Sequence, residues 1–197
     1  YIPAGTDEKP FSGVFDGQGF TVRNISVKTD ITSQANTGIF GVISGATVRN
    51  LTVGDEGDVW TITGKAAGGS AIAGVAAKAL EGSVVENCVN YVSFDFQAED
   101  GAKVVVSMAG IVGDATGLSV TGCKNNADIH VSGIVNTESG GNGFQLGGIV
   151  GYARSGVKAS GCENNGDLSA PSGRGGGIIA TLAGGSMSEC VNNGTIE

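Results

Sequence analysis

Gly110-Ile111-Val112-Gly113, then Cys123-Lys124-Asn125-Asn126, then Asp128-Ile129-His130, is followed by a second copy of the same order. That copy reads Gly148-Ile149-Val150-Gly151, Cys162-Glu163-Asn164-Asn165 and Asp167-Leu168-Ser169. The Cys lies 13 residues after the first Gly in one copy and 14 in the other. Landmarks that keep step across different intervening sequence mark a structural repeat.

The pattern extends in both directions. Gly38-Ile39-Phe40-Gly41 is a third copy, Ala71-Ile72-Ala73-Gly74 and Gly177-Ile178-Ile179-Ala180 are degenerate ones, and Gly13-Val14-Phe15-Asp16 reads as the first. The starts are spaced 25, 33, 39, 38 and 29 residues apart. Cys190 lies 13 residues after Gly177, and Cys88 lies 17 after Ala71. In the first two copies Ile25 and Leu51 take the Cys position, and Thr21-Val22-Arg23-Asn24-Ile25 closely matches Thr47-Val48-Arg49-Asn50-Leu51. Each unit reads as short strands, the Gly-apolar-apolar-Gly run being one, separated by Gly and Asn turns. A helix is excluded, because Gly every few residues costs about 1 kcal/mol each against Ala.

One such coil cannot bury its own apolar face. Stacked coils about 4.8 Å apart pair every strand and build a continuous core. The expectation is an all-β chain, a single domain over residues 1–197, wound as a parallel β-helix of about six turns. Two interior columns are expected. One runs through Ile25, Leu51, Cys88, Cys123, Cys162 and Cys190. The other runs through Val14 or Phe15, Ile39 or Phe40, Ile72, Ile111, Ile149 and Ile178. The chain stops just after a repeat unit, so a segment of a longer protein is expected.

Composition agrees. Gly accounts for 36 of 197 residues, far above the usual share of about 7%, and suits close backbone packing. With 40% hydrophobic residues a core is affordable in sequence terms. The net charge of −8 argues against nucleic acid as a partner. No apolar run reaches the roughly 20 residues of a membrane span.

The four Cys share one repeat position that aliphatic residues also fill, and stacked side chains are spaced wider than the Cβ separation of about 3.8 Å in a disulfide. They read as buried free thiols, with disulfides between adjacent turns as the alternative. Asn90, Asn125, Asn164 and Asn192 each follow a Cys by two residues and read as a structural corner or a stacked ladder.

The stretch from Pro10 to Val22, with Phe15-Asp16-Gly17-Gln18-Gly19 inside it, and the Tyr1 to Thr6 run before it resemble the repeat region of bacterial surface proteins carrying GLUG motifs. The Gly-Ile-Val-Gly copies at 110 and 148 are similar to the GLUG signature itself. The resemblance implies a right-handed β-helix, in keeping with the usual hand of parallel crossovers. It also implies a bacterial secreted or cell-surface location and a non-catalytic adhesin-like or stalk role. Asp16 is expected to hold a tight turn.

Insertions in a solenoid gather on one face, here Gly54 to Gly69, Ser93 to Met108 and Ser132 to Leu146. The middle one reads as a β-hairpin, Val92 to Phe96 returning through Lys103 to Val106. With Val59 to Thr63 it is expected to make a lateral sheet bearing the candidate ligand-binding residues Trp60, Phe94, Asp95 and Phe96, which would meet a glycan or a host or cell-surface protein. Asp55, Glu56 and Asp58 form an acidic turn, a candidate for Ca²⁺, although no cofactor is otherwise expected. No H-E-x-x-H, G-x-S-x-G or phosphate loop occurs, so no catalytic residue is assigned. The rival reading is a polysaccharide lyase or glycosidase, which gathers carboxylates on adjacent coils. Asp128 and Asp167 occupy equivalent positions but read as turn caps. Regular Thr rows of an ice binder are absent.

Overall fold

The computed structural model describes residues 1–31, 34–64, 69–102, 106–135 and 143–197. Among these, all regular structure is β, in twenty-seven short strands. Every strand pairs in parallel with the strand five places on, so five strands make one turn and stack into five walls. The chain winds a little over five times, slightly fewer than the six turns expected. Among the described residues no helix is long and apolar enough to cross a membrane.

The first wall has six strands, from Val14–Asp16 to Gly185–Ser188, and the second six, from Thr21–Val22 to Val191–Asn192. The third has five: Lys28–Ile31, Val59–Gly64, Ser93–Ala102, Ile129–Val135 and Leu168–Ser169. The fourth runs from Asn36–Thr37 to Gly173–Gly176 and the fifth from Phe40–Ser44 to Ile179–Leu182, with five strands each.

Parallel register stacks like on like. Val48, Val85, Val120 and Ala159 form one buried column. Leu51, Cys88, Cys123 and Cys162 form the next, ending at half-buried Cys190, and all four thiols are free. Ile25 does not belong to it. Thr21 pairs with Thr52 rather than Thr47, so the matching pentapeptides lie in different walls. Ile25 instead packs partly against the core, and its carbonyl accepts a bond from Trp60 Nε1 at 2.9 Å.

The Gly-apolar-apolar-Gly signature is a corner between the fourth and fifth walls rather than a strand. Gly38-Ile39, Gly110-Ile111 and Gly148-Ile149 bend, and the strand begins at the third residue. The backbone pairs Gly38-Ile39 with Gly74-Val75, not with Ala71-Ile72: Ile39 N donates to Gly74 O, and Gly74 N to Gly110 O. The copy read at Ala71 therefore starts at Gly74, and the interior column is Ile39, Val75, Ile111, Ile149 and Ile178. Ile72 lies one wall earlier, opposite Met108. The first copy shifts too. Gly13 leads into the first wall, where Phe15 pairs with Val48, while Ala4 bridges Phe40 at the corner position.

Two rows of backbone and side-chain geometry hold the corners. Between the first and second walls the chain turns through a left-handed residue in each coil after the first: Asn50, Asn87, Gly122, Gly161 and Glu189, with φ of 53°, 52°, 62°, 59° and 55°. Asn and Gly adopt this conformation readily; a Glu does so at a cost of about 1–2 kcal/mol. Glu189→Gly should accordingly stabilise the chain by about 1 kcal/mol, the gain being trimmed by the unfolded-state freedom of Gly. A rise of about 2–4 °C in thermal midpoint would register it. No rise would mean that Glu189 makes a compensating contact.

The second row is a buried Asn ladder. Asn90, Asn125 and Asn164 are fully buried. Each donates from Nδ2 to the Oδ1 of the Asn one coil on, at 2.9, 2.8 and 2.8 Å. Each also donates to a carbonyl two residues ahead, Val92, Ala127 or Gly166. The backbone there is not left-handed; these residues act through their carboxamides. A shallower ladder joins Asn126, Asn165 and Asn193. Outer charges pair between adjacent coils, Arg49 with Asp16 at 2.9 Å and Lys124 with Glu163 at 2.8 Å. Such exposed pairs contribute at most about 1 kcal/mol each, so the interior columns and ladders carry the fold.

Candidate functional site on the long-stranded wall

The third wall has the longest strands. Val59–Gly64, Ser93–Ala102 and Ile129–Val135 run 6, 10 and 7 residues. The expected hairpin gives way to one strand, Ser93–Ala102, which pairs in parallel with both neighbours as far as Ala98 and, after a register shift, with Val135 at Ala102; no reversal occurs at Asp100-Gly101. Lys103 to Val105 lie outside the described residues. Among the described residues the insertions extend the wall, and no separate lateral sheet is formed.

Alternation decides which side chains face out. Trp60, Phe94 and Phe96 face inward, at 1%, 1% and 0% exposure. Trp60 and Phe94 rings pack at 5.6 Å, and Phe96 meets Phe144 at 5.1 Å. Burying an aromatic of this size is worth roughly 1.5–3 kcal/mol, and their even spacing lets the wall bury all three at once. They are interior packing and offer no platform to a ligand, which corrects the expectation for three of the four candidate binding residues.

Asp95 faces out, and the register supplies it with neighbours that were not singled out as a site. Thr61, Asp95, His130 and Ser169 stand one per coil in a single outward row. Thr63, Gln97 and Ser132 form a second row beside it. His130 Nδ1 lies 2.7 Å from Ser169 Oγ, and Gln97 Nε2 donates to Asp95 Oδ2 at 3.3 Å. The signal was in the sequence: Asp95, His130 and Ser169 each follow a column Cys by seven residues.

Two further acids of this region, Asp128 and Asp167, are engaged in the backbone. Asp128 N donates to Ser93 Oγ at 3.3 Å, Asp167 N to Asp128 Oδ1 at 2.8 Å, and Thr195 N to Asp167 Oδ1 at 2.6 Å. Each side chain thus caps an amide of the next coil. Asp16 holds its turn in the expected way, accepting from Gln18 N at 2.9 Å, and also binds Asn50 and Arg49. The Asn50 bond first, then the Gln18 amide, hold its carboxyl below the usual carboxylate range.

The acidic turn is likewise tied down. Asp58 Oδ2 accepts from Asp55 N at 2.9 Å, Asp55 lies 3.3 Å from Arg23, and Glu56 is exposed in the turn. Among the described residues no three His, Cys, Asp or Glu converge as a metal site. Surface hollows are small. One of about 290 Å³ lies by Tyr1, Pro3, Ser26 and Asn36, and one of about 180 Å³ by Leu146, Leu168, Ala170 and Arg174. Both fall below the size of pockets that enclose a drug-sized ligand, about 300–1,000 Å³.

Fold and face together define a parallel β-solenoid repeat protein with a row of polar side chains along its third wall. No family model, curated protein or solved structure matches the chain.

Proposed function

We propose that the chain is a non-catalytic segment of a secreted or cell-surface bacterial protein, acting as an adhesin-like binding module or stalk. Its contact surface is the outer row Thr61, Asp95, His130 and Ser169, with Gln97 beside it. The observation that carries this reading is the in-line spacing of hydroxyl, carboxylate, imidazole and amide groups on a rigid wall, one per coil at about 4.8 Å. A flat row of mixed donors and acceptors suits an extended polyhydroxylated chain or an extended segment of protein better than a compact ligand. The interior columns and the Asn ladder supply the stiffness a spacer needs. The GLUG resemblance supports the same class and the bacterial surface location.

A glycan array followed by calorimetry tests it. Binding should be weakened at least about tenfold by His130→Ala or Asp95→Ala, with the fold intact by circular dichroism. Binding that survives both changes would remove this row from the function. The runner-up, a polysaccharide lyase or glycosidase, would draw on the same Asp95 and His130. Polysaccharide turnover lost in His130→Ala would put it first.

A further inference from the structure

The thiol column carries a chemistry that Leu51, which fills the same position by packing alone, does not. Cys162 and Cys190 are neighbours in it: Val191 N donates to Cys162 O at 2.9 Å, and the following residues, Glu163 and Val191, pair directly. Both side chains point the same way. Cys162 Sγ donates to Ser160 O at 3.4 Å, and Cys190 Sγ to Ser188 O at 3.2 Å. Cys162 is buried, whereas Cys190 is only half-buried, so the pair opens to solvent at one member.

Stacked donors are separated by the coil repeat, about 4.8 Å. That is wider than the Cβ separation of about 3.8 Å that a disulfide prefers. It is also the wrong shape for a tetrahedral ion, whose donors must surround one point. A metal–thiolate bond is about 2.3 Å, so two in line span about 4.6 Å, close to the repeat. Thiolates select soft ions. We propose that Cys162 and Cys190 form a linear two-coordinate site for a soft monovalent cation of the Cu(I) type.

Loading breaks two S–H bonds, forms two metal–sulfur bonds and passes two protons to solvent. The metal keeps its oxidation state. Nothing in the proposal depends on the polar row of the third wall.

Anaerobic titration of the 197-residue chain with Cu(I), against a competing chelator, tests it. The first equivalent should release two protons, show two sulfur neighbours by X-ray absorption, and protect Cys190 from iodoacetamide. Cys190→Ala should lower affinity for that equivalent at least about 100-fold. Cys88→Ala, two coils further along the column, should stay within about twofold. If Cys190→Ala folds and binds as well as the unaltered chain, the site is elsewhere. If loading instead produces dimers by sedimentation, with one sulfur from each of two chains, the column does not form the site. Cys162→Ser, which keeps the size of the side chain, provides the second loss of binding; unchanged affinity there would also overturn the assignment.

Discussion

Gly110→Ala should cost at least about 3 kcal/mol of stability, more than a single methyl group costs at most surface positions. A Cβ at Gly110 would stand 2.3 Å from Asn125 Cγ and Oδ1 and 2.6 Å from its Cβ. Asn125 cannot step aside, because its carboxamide is fixed by three hydrogen bonds in a fully buried site. The same contact recurs along the stack. A Cβ at Gly74 would meet Asn90, one at Gly148 Asn164, and one at Gly177 Asn192, all at 2.2–2.3 Å. The two motifs of the repeat are therefore one device: the corner glycine leaves the space the ladder amide fills. Gly161→Ala provides the contrast. No atom lies within 4 Å of its Cβ, and only its φ of +59° opposes the change, at a cost of about 1 kcal/mol. Urea unfolding of the two variants should separate them clearly, and equal losses would refute the packing account.

Asn125→Asp should destabilise the chain by about 3 kcal/mol or more at neutral pH, and the loss should shrink in acid. Asn125 Nδ2 donates to Ala127 O and Asn164 Oδ1, both at 2.8 Å, while its Oδ1 accepts from Asn90 at 2.9 Å. An ionised carboxylate cannot donate, so it would face two oxygens across short distances without water. Burial and those acceptors raise the folded-state pKa of the introduced acid above its unfolded value of about 3.9. For a raised acid, the folded state is favoured below the unfolded pKa and loses ground as pH rises towards the folded one. The slope over that window approaches about 1.4 kcal/mol per pH unit. Asn125→Ala leaves Ala127 O, the Asn90 amide and Asn164 Oδ1 without this partner, at about 1–3 kcal/mol for each group left unsatisfied. It introduces no titrating group, so its loss should be flat in pH relative to the unaltered chain. Unfolding free energies at pH 4.5 and 7.5 check both variants. A flat Asp variant would mean that water reaches the ladder.

The stacking itself was legible because it rests on positions with few alternatives. A buried ladder tolerates Asn and little else, and the column beside it takes a small apolar group or a thiol. Corners were harder to read. Ile111 and Val112 carry the same strand propensity whether they lie in a wall or at its end, and only the backbone register places the bend between them. Ala71-Ile72-Ala73-Gly74 imitates the signature three residues early. The distance to Cys88, 14 from Gly74 against 17 from Ala71, was the clue that favoured the later start. The Thr-Val-Arg-Asn repetition misled for a related reason: a strand followed by a turn has the same composition in the first wall as in the second.

The binding face was the least legible part. Aromatic residues in an insertion suggested an exposed platform, yet a long parallel strand buries one parity and exposes the other. Which parity goes inside depends on the columns above and below, Ile62 and Val131 against Phe96. The outward row was spelled out at a constant interval from the Cys, but its residues are chemically ordinary one at a time. Their common face follows only from the repeat.

The carboxamides of Asn90, Asn125 and Asn164 all donate in the same direction along the coil axis. Their small dipoles therefore add instead of cancelling, and each bond polarises the next. A molecule that repeats itself from coil to coil thereby acquires an electrical head and tail, with its two ends inequivalent even where their backbones are alike.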